Sequence, residues 1–315
     1  MLAPGETGRR TGFPYAYRGP TRRRVCSRVE RTATGPLRDF AAMPAGDILL
    51  LDSVTRLDER HRGKVLVAGS HGGVYAAYLA ALGQLRGVIL NDAGVGKDQA
   101  GIGGLHYLDE AGIAAATISH LSARIGEGPD MMDRGVISHA NKRAIALGCR
   151  PGMACAECAA LLMTGDIPTL PPPKKQEGRF LLSAEPGAPE VWGIDSNSLV
   201  LPEDRDRILI TGSHGQVLGS KPETALKYDA VAAVYNDAGR GIDDAGISRL
   251  PALDARGIAA ATVSHDSARI GDARSTYEDG IVSALNETAA NTGAKTGNTT
   301  RALVDLLAAA WRDNR

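Results

Sequence analysis

Short apolar runs alternate with longer segments of mixed polarity along the chain from about residue 45 onward. Apolar runs of this length without polar alternation are typical of strands that are buried on both faces of a sheet. In the first half they are ILLL at 48–51, VLVA at 65–68, GVIL at 87–90 and IAAATI at 113–118. The segments between and after them predict helices at 73–82, 101–111, 136–147 and 151–163. This alternation indicates parallel strands joined by right-handed crossovers, with helices on both faces of the sheet.

The same pattern occurs twice, together with the polar motifs that follow its strands. Gly-Ser-His-Gly at 69–72 returns at 212–215, an offset of 143, and Asn-Asp-Ala-Gly at 91–94 returns at 236–239, an offset of 145. Ser-Ala-Arg-Ile-Gly at 122–126 also returns, at 267–271. We therefore interpret the α/β chain as a tandem duplication of two Rossmann-like parallel-sheet layer sandwiches, related by a pseudo-twofold axis.

Composition divides the chain into four segments. Residues 1–42 carry many arginines among Pro, Gly and Thr, which predicts either a disordered basic tail or a misplaced start codon, with translation beginning at Met43. The first α/β repeat is expected at 43–165 and the second at 188–315. Between them, 166–187 contains consecutive prolines at 171–173 and is expected to form an extended linker.

Charge and composition limit the classes of molecule that the chain is expected to bind. Lys plus Arg and Asp plus Glu both number 36, so no net charge attracts nucleic acid or an anionic membrane. No apolar run reaches the length needed to span a bilayer. Four cysteines without a secretory signal are typical of a reducing compartment. We expect a soluble, cytoplasmic protein that acts on a small molecule; whether it forms a homo-oligomer stays open.

Polar residues follow three of the predicted strands in each half. In the first half they are Ser70 and His71, then Asn91 and Asp92, then His120, Ser122 and Arg124. The carboxyl ends of parallel strands meet at one edge, where open α/β sheets bind ligands at a topological switch point. We therefore expect these residues to share one crevice.

The residue types at this edge predict acid–base chemistry. His71 and His120 titrate near neutral pH, and Asp92 is expected to orient one of them. Ser70 is a candidate nucleophile, with His120 as the better-placed base. Arg124 is expected to hold a substrate anion. The other candidate substrate-binding residues are Gly69 and Gly72, through amides that stabilise negative charge, and Asn91, Ser122 and Lys97.

The second copy carries the equivalents His214, Asp237, His265 and Arg269. The first copy is favoured as the working site because Lys97 and His139 are replaced by Ile242 and Ala284 in the second.

No cofactor is predicted, although His71, Asp92 and His120 are ligand types that suit a divalent metal. Cys155 and Cys158, with Cys149 nearby, have metal-like spacing. However, the second copy has Thr300 and Leu303 at the corresponding positions, and the run continues as an apolar helix.

Each of these residues also has a structural interpretation. Gly69 and Gly72 can permit a tight turn, Ser70 can cap a helix, and Asp92 can fix a turn. Arg124 can pair with Asp92 or Asp98. Residues repeated in both copies can also be kept by the contact between the halves.

The leading hypothesis is an enzyme acting on a small, anionic metabolite, with hydrolysis of a C–N or C–O bond as the first reaction considered. A non-catalytic ligand-binding or assembly protein is the alternative. An isomerase or lyase using the same groups is the third hypothesis.

Overall fold

The computed structural model describes residues 47–313, in which the chain builds two α/β layers on two separate sheets. The expected basic tail at 1–42, the alternative start at Met43 and Cys26 lie outside the described residues. No helix within 47–313 has the length and apolar character needed to cross a membrane.

The first sheet contains five strands whose order in space follows their order in the chain. They are β1 (Ile48–Leu51), β2 (Val65–His71), β3 (Gly87–Asn91), β4 (Ala114–Ile118) and β5 (Ile137–Ala140). The first four are parallel, and β5 pairs antiparallel with β4. The helices of this layer are α1 (Val74–Leu82), α2 (Gly104–Glu110), α3 (Gly128–Arg134), α4 (Lys142–Ala146) and α5 (Cys155–Leu162).

The second sheet contains six strands, again in chain order. They are β6 (Arg179–Ser183), β7 (Val191–Ile194), β8 (Ile208–His214), β9 (Ala232–Asn236), β10 (Ala259–Val263) and β11 (Val282–Leu285). Strands β7 to β10 are parallel, and the two edge strands are antiparallel. The helices of this layer are α6 (Arg249–Asp254), α7 (Ala273–Asp279), α8 (Glu287–Ala290) and α9 (Thr300–Asp313).

Both faces of the first sheet are buried, as the unbroken apolar runs predict. Along β2, Val65 and Val67 belong to the core on the side of α3 and α5, whereas Leu66 and Ala68 belong to the core on the side of α1 and α2. Successive side chains of a strand point to opposite faces, so a strand covered on both sides needs apolar residues at every position. The predicted α/β layers with parallel strands are confirmed.

The strand order corrects one expectation about the site. In both sheets the parallel strands follow each other in chain order, so the described strands have no reversal that would create a topological switch point. The cavity at the carboxyl edges instead lies between the two halves and is lined by residues of both.

The predicted helix at 136–147 is confirmed only over Lys142–Ala146, which is α4; its first part is wrong. Residues 137–140 form β5, in which Ala140 pairs with Ala116 of β4. Asn141 ends the strand and starts α4, because its Oδ1 accepts hydrogen bonds from the N–H groups of both Ala115 (3.0 Å) and Ala144 (2.9 Å). The buried side chain of Asn141 thus joins β4 to the N-terminus of α4.

The predicted helix at 151–163 is confirmed only from Cys155 onward. Gly152 has φ +88°, a turn conformation, so Pro151 does not lie in the first turn of α5. Cys149, Cys155 and Cys158 are buried in the core on this face of the sheet, and burial raises the pKa of Cys155 to about 12.

The segment expected to be a linker is partly ordered into the second layer. Strand β6 lies inside 166–187 and pairs with β7, with Phe180 opposite Gly193. Glu177, two residues before β6, lies at the contact between the halves.

Candidate active site

The carboxyl ends of the parallel strands of one sheet face those of the other. The Lys97 N–H donates to the His265 carbonyl (2.8 Å), and the Ile242 N–H donates to the His120 carbonyl (2.9 Å). A small apolar cluster fills the same contact: Ala93, Ile125, Ala238 and Ile270. The expected crevice is therefore largely closed by the other half, and cavities remain within the contact.

The structure brings Asp92 and His120 together. Asp92 Oδ1 lies 2.9 Å from His120 Nδ1 and accepts the His120 backbone N–H, also at 2.9 Å. Asp237 and His265 make the same two contacts in the second half, at 3.2 and 2.9 Å. Burial opposes ionisation of both carboxyls, but the hydrogen bonds from the histidines prevail and lower the pKa of each aspartate. Asp92 and Asp237 are thus fixed, charged acceptors.

The paired imidazoles occupy notches left by glycines of the opposite half. A Cβ built on Gly239 would lie 2.8 Å from His120 Cδ2, and one on Gly94 would lie 2.6 Å from His265 Cδ2. The two rings are 6.5 Å apart. The recurring Asn-Asp-Ala-Gly motif therefore has a docking role, since its aspartate holds one histidine and its glycine makes room for the other.

His71 does not join this pair; it faces a separate cavity of about 70 Å³ between the halves. The polar groups on its walls include hydroxyls, imidazoles and carboxyls: Ser70, His71, Glu177, Asp195, Ser213 and His214. Within 47–313, His71 forms no hydrogen bond or ion pair with Asp92 or His120. The residues predicted to share one crevice are therefore divided between two places.

Both histidines of the cavity are held in one tautomer. The Gly73 N–H donates to His71 Nδ1 (3.1 Å), and the Gln216 N–H donates to His214 Nδ1 (3.3 Å). A neutral ring whose Nδ1 accepts a hydrogen bond carries its proton on Nε2. Each imidazole can therefore offer an Nε2–H donor.

Burial keeps these two imidazoles neutral. It lowers the pKa of His71 to about 4. Burial, followed by the positive charge of Arg249, lowers the pKa of His214 well below its ordinary value. Both are therefore hydrogen-bond donors at neutral pH rather than cations, in contrast to the acid–base role predicted for His71.

The Glu177 carboxyl on the cavity wall titrates near neutral pH. Burial is the main cause that raises its pKa to about 7; a hydrogen bond with Ser196 opposes this, and the charge of Asp195 adds to it. Asp195 also positions the chain next to Glu177, because its Oδ2 accepts the Gly178 N–H (2.6 Å) and its Oδ1 accepts the Ala273 N–H (2.9 Å).

Sequence reasoning missed Glu177 because it lies in the polar stretch expected to be a linker. The available signal was indirect: Asp195-Ser196 matches Asp52-Ser53 in the alignment of the two halves. That match marks the place where Asp195 anchors the chain, but it does not point to the neighbouring glutamate.

The serine hydroxyls of the repeated motif face the same cavity. Ser70 Oγ accepts the Val54 N–H (2.9 Å), and Ser213 Oγ accepts the Asn197 N–H (2.8 Å). Each hydroxyl keeps a hydrogen to donate. In the described part of the chain, Ser70 forms no hydrogen bond with His120, the base predicted for it.

The two glycines predicted to stabilise negative charge have structural tasks. The Gly72 N–H already donates to the Asn91 carbonyl (2.7 Å). Gly69 lies within β2, where a Cβ would come 2.5 Å from the Glu127 nitrogen. Gly69 therefore permits close approach of the loop at 126–127, and the Gly72 amide is not free to bind an oxyanion.

The predicted anion-binding arginine is neutralised by acids of its own half. Arg124 Nη2 lies 2.8 Å from Asp130 Oδ1, so its partner is neither Asp92 nor Asp98. Its equivalent Arg269 reaches across the contact to Asp98 at 3.0 Å.

The remaining predicted binding residues are also engaged. Lys97 pairs with Asp279 at 2.9 Å across the contact. The side-chain Oδ1 of Asn91 accepts a hydrogen bond from the Ala93 N–H (2.9 Å), and the Ser122 hydroxyl donates one to the Ser119 carbonyl (2.8 Å). These residues secure loops and the contact between the halves; a substrate role for them stays a prediction.

Two other features bear on the choice of site. A larger groove of about 630 Å³ runs beside α1, but no histidine and no residue of the repeated motifs lines it. Within residues 47–313, no group of three or more His, Cys, Asp or Glu side chains is arranged to hold a metal ion.

Comparisons of the chain with protein-family models, curated proteins and solved structures find no match. The chemistry of the site is therefore inferred from its own residues.

Proposed function

We propose that the chain is an enzyme that hydrolyses a C–N or C–O bond of a small, anionic metabolite in the cavity between its two halves. The observation that carries the proposal is that Glu177, whose pKa is raised to about 7, lines the same cavity as the neutral imidazoles of His71 and His214. A carboxyl group that titrates near pH 7 is suited to general acid–base work.

Each group has a role in this reaction. Ionised Glu177 takes a proton from a water molecule as the water oxygen attacks the substrate carbonyl carbon. The oxygen that gains negative charge accepts a hydrogen bond from Nε2–H of His71 or His214, a donor that needs no ionisation. Protonated Glu177 then returns the proton to the leaving nitrogen or oxygen as its bond to carbon breaks.

We further infer that the halves arose by duplication and are related by a pseudo-twofold axis. The recurrence of the Asp92–His120 contacts at Asp237–His265 supports this, as does the reciprocal use of Gly94 and Gly239. The same recurrence favours an assembly role, rather than catalysis, for the Asp92–His120 pair.

The experiment compares Glu177→Gln with Glu185→Gln, a matched change at an exposed glutamate of the same region. A panel of small amides, lactams and esters is assayed with product masses recorded. Glu177→Gln should lower kcat by about 100-fold or more, while Glu185→Gln leaves it unchanged.

Both variants should keep the wild-type circular dichroism spectrum. Full activity of Glu177→Gln would refute the proposal. A product equal in mass to the substrate would assign an isomerase, and elimination without added water would assign a lyase.

A further inference from the structure

We infer that Arg249 and Lys227 bind an oxyanion of the substrate, a carboxylate or phosphate, in a pocket next to the cavity of Glu177. This inference rests on the proposed function and deepens it, since it names the substrate group that is held away from the reacting bond.

The pocket adjoins the proposed reaction site. It has a volume of about 280 Å³, and Arg249, Lys227 and Glu223 lie on its walls. It shares wall residues with the smaller cavity: Ser53, Thr55, Ser196, Ser213 and His214. A substrate bound here can therefore place one end beside His214 while its reacting bond enters the space beside Glu177.

Arg249 is a buried charge without a counterion among the described residues. Its side chain is almost fully buried, with the residue 2% exposed. The guanidinium donates to the carbonyls of His214 (3.1 Å), Thr224 (2.7 Å) and Ala225, and it lies 5.0 Å from the centre of the Tyr235 ring. Carbonyl dipoles and an aromatic ring offset only part of the desolvation free energy of a buried guanidinium. A bound anion would offset the remainder.

The other charges that face the pocket favour an anion as well. Lys227 is exposed at the wall, with Nζ 5.1 Å from the Tyr228 ring centre, and forms no ion pair within 47–313. Glu223 carries one opposing charge and is also exposed. Because His214 is neutral, two cations face one carboxylate, and the pocket keeps a net positive charge.

The first half cannot build the same site. Gly104 takes the place of Arg249 there, and a Cβ at Gly104 would lie 2.6 Å from Ala77 Cβ and 2.6 Å from the Gly72 carbonyl oxygen. An arginine side chain has no room at that position. The oxyanion subsite therefore belongs to the second half alone and gives the substrate one orientation.

The test is calorimetric titration of the whole chain with sodium phosphate and with sodium acetate, at constant ionic strength maintained with sodium chloride. Lys227→Met should raise the dissociation constant about fivefold, and Arg249→Gln on the order of tenfold or more. Glu223→Gln should lower it, because it removes the opposing charge. Lys142→Met, a matched loss of an exposed lysine elsewhere, should leave it unchanged.

Arg249→Gln removes donors to three carbonyls, so its fold is checked by circular dichroism; if it does not fold, Lys227→Met and Glu223→Gln decide the outcome. Equal binding by these two variants and the wild type would overturn the subsite, as would no binding of either anion to the wild type. Preference for phosphate or for acetate identifies the group.

The two proposals fail separately. Unchanged activity in Glu177→Gln alongside charge-dependent anion binding would reject the proposed reaction and keep the subsite. Loss of activity in Glu177→Gln, with no anion binding to the wild type, would support the proposed reaction and reject the subsite.

Discussion

The raised pKa of Glu177 predicts a pH dependence of folding stability that can be measured before any substrate is known. Its ordinary value is 4.5, and burial raises it to about 7 in the folded protein. Between these values the unfolded chain releases a proton that the folded chain retains. The contribution of Glu177 to the free energy of unfolding is therefore greatest below pH 4.5. It falls as the pH rises toward 7 and is constant above that.

The size of the effect follows from the same two values. At about 1.36 kcal/mol per pH unit, the difference corresponds to roughly 3 kcal/mol for a fully buried carboxyl. Glu177 is only half-buried, so solvent screening reduces the expected loss to about 1–2 kcal/mol.

The unfolding free energy of the wild type, plotted against pH, would not show this loss by itself because His71 contributes an opposite change. His71 has a lowered pKa of about 4, so its contribution to stability is full above pH 6.5 and is lost as the pH falls toward 4. The two groups give opposite slopes in overlapping ranges. The quantity to measure is therefore the difference in unfolding free energy between Glu177→Gln and the wild type.

Urea denaturation at 25 °C across pH 4.5 to 8.5 measures this difference. Relative to the wild type, Glu177→Gln should gain about 1–2 kcal/mol as the pH rises across this range. Glu185→Gln, at an exposed site, should give a flat difference. A flat difference for Glu177→Gln would mean that its carboxyl ionises normally, and the proposed hydrolysis would lose its general base.

Two further predictions test the histidines. In His71→Gln the amide N–H can replace Nε2–H, so part of kcat/KM should survive, whereas His71→Leu should lose about 100-fold; equal losses would show that His71 does more than donate a hydrogen bond. Gly239→Ala places a methyl group 2.8 Å from the His120 ring, and urea denaturation should show a loss of stability about 2 kcal/mol greater than that of Gly257→Ala. Gly257 has a similar positive φ but open space around it, so equal losses in the two variants would contradict the docking notch.

Sequence pattern predicts the parallel strands β1 to β4 well because strands covered on both faces have unbroken apolar runs. The segment at 48–51 coincides with β1, and those at 65, 87 and 113 start within one residue of β2, β3 and β4. The predicted helix at 136–147 fails over its first residues, 137–140, and this failure has a physical cause as well. Ile137–Ala140 has no strong apolar alternation, and its pairing with β4 across the sheet decides its conformation.

The site was less predictable from the sequence. Residues that follow three strands at the same edge of a sheet can still face different cavities. Asp92 and His120 come together, but His71 faces its counterpart His214 from the other half. The pairing of the two halves determines this division, and a sequence does not encode it locally. Arg249 escaped notice because the first half has Gly104 at the equivalent position, and Glu177 because it lies in the stretch expected to be a linker.

Two imidazoles from opposite halves open onto one shared chamber, although the Gly-Ser-His-Gly motif occurs twice in the chain. Titration with a tight inhibitor should therefore reach its end point at a single equivalent per polypeptide. Cutting the chain between the layers would leave each fragment with part of the wall, so turnover would depend on the fragments reassociating.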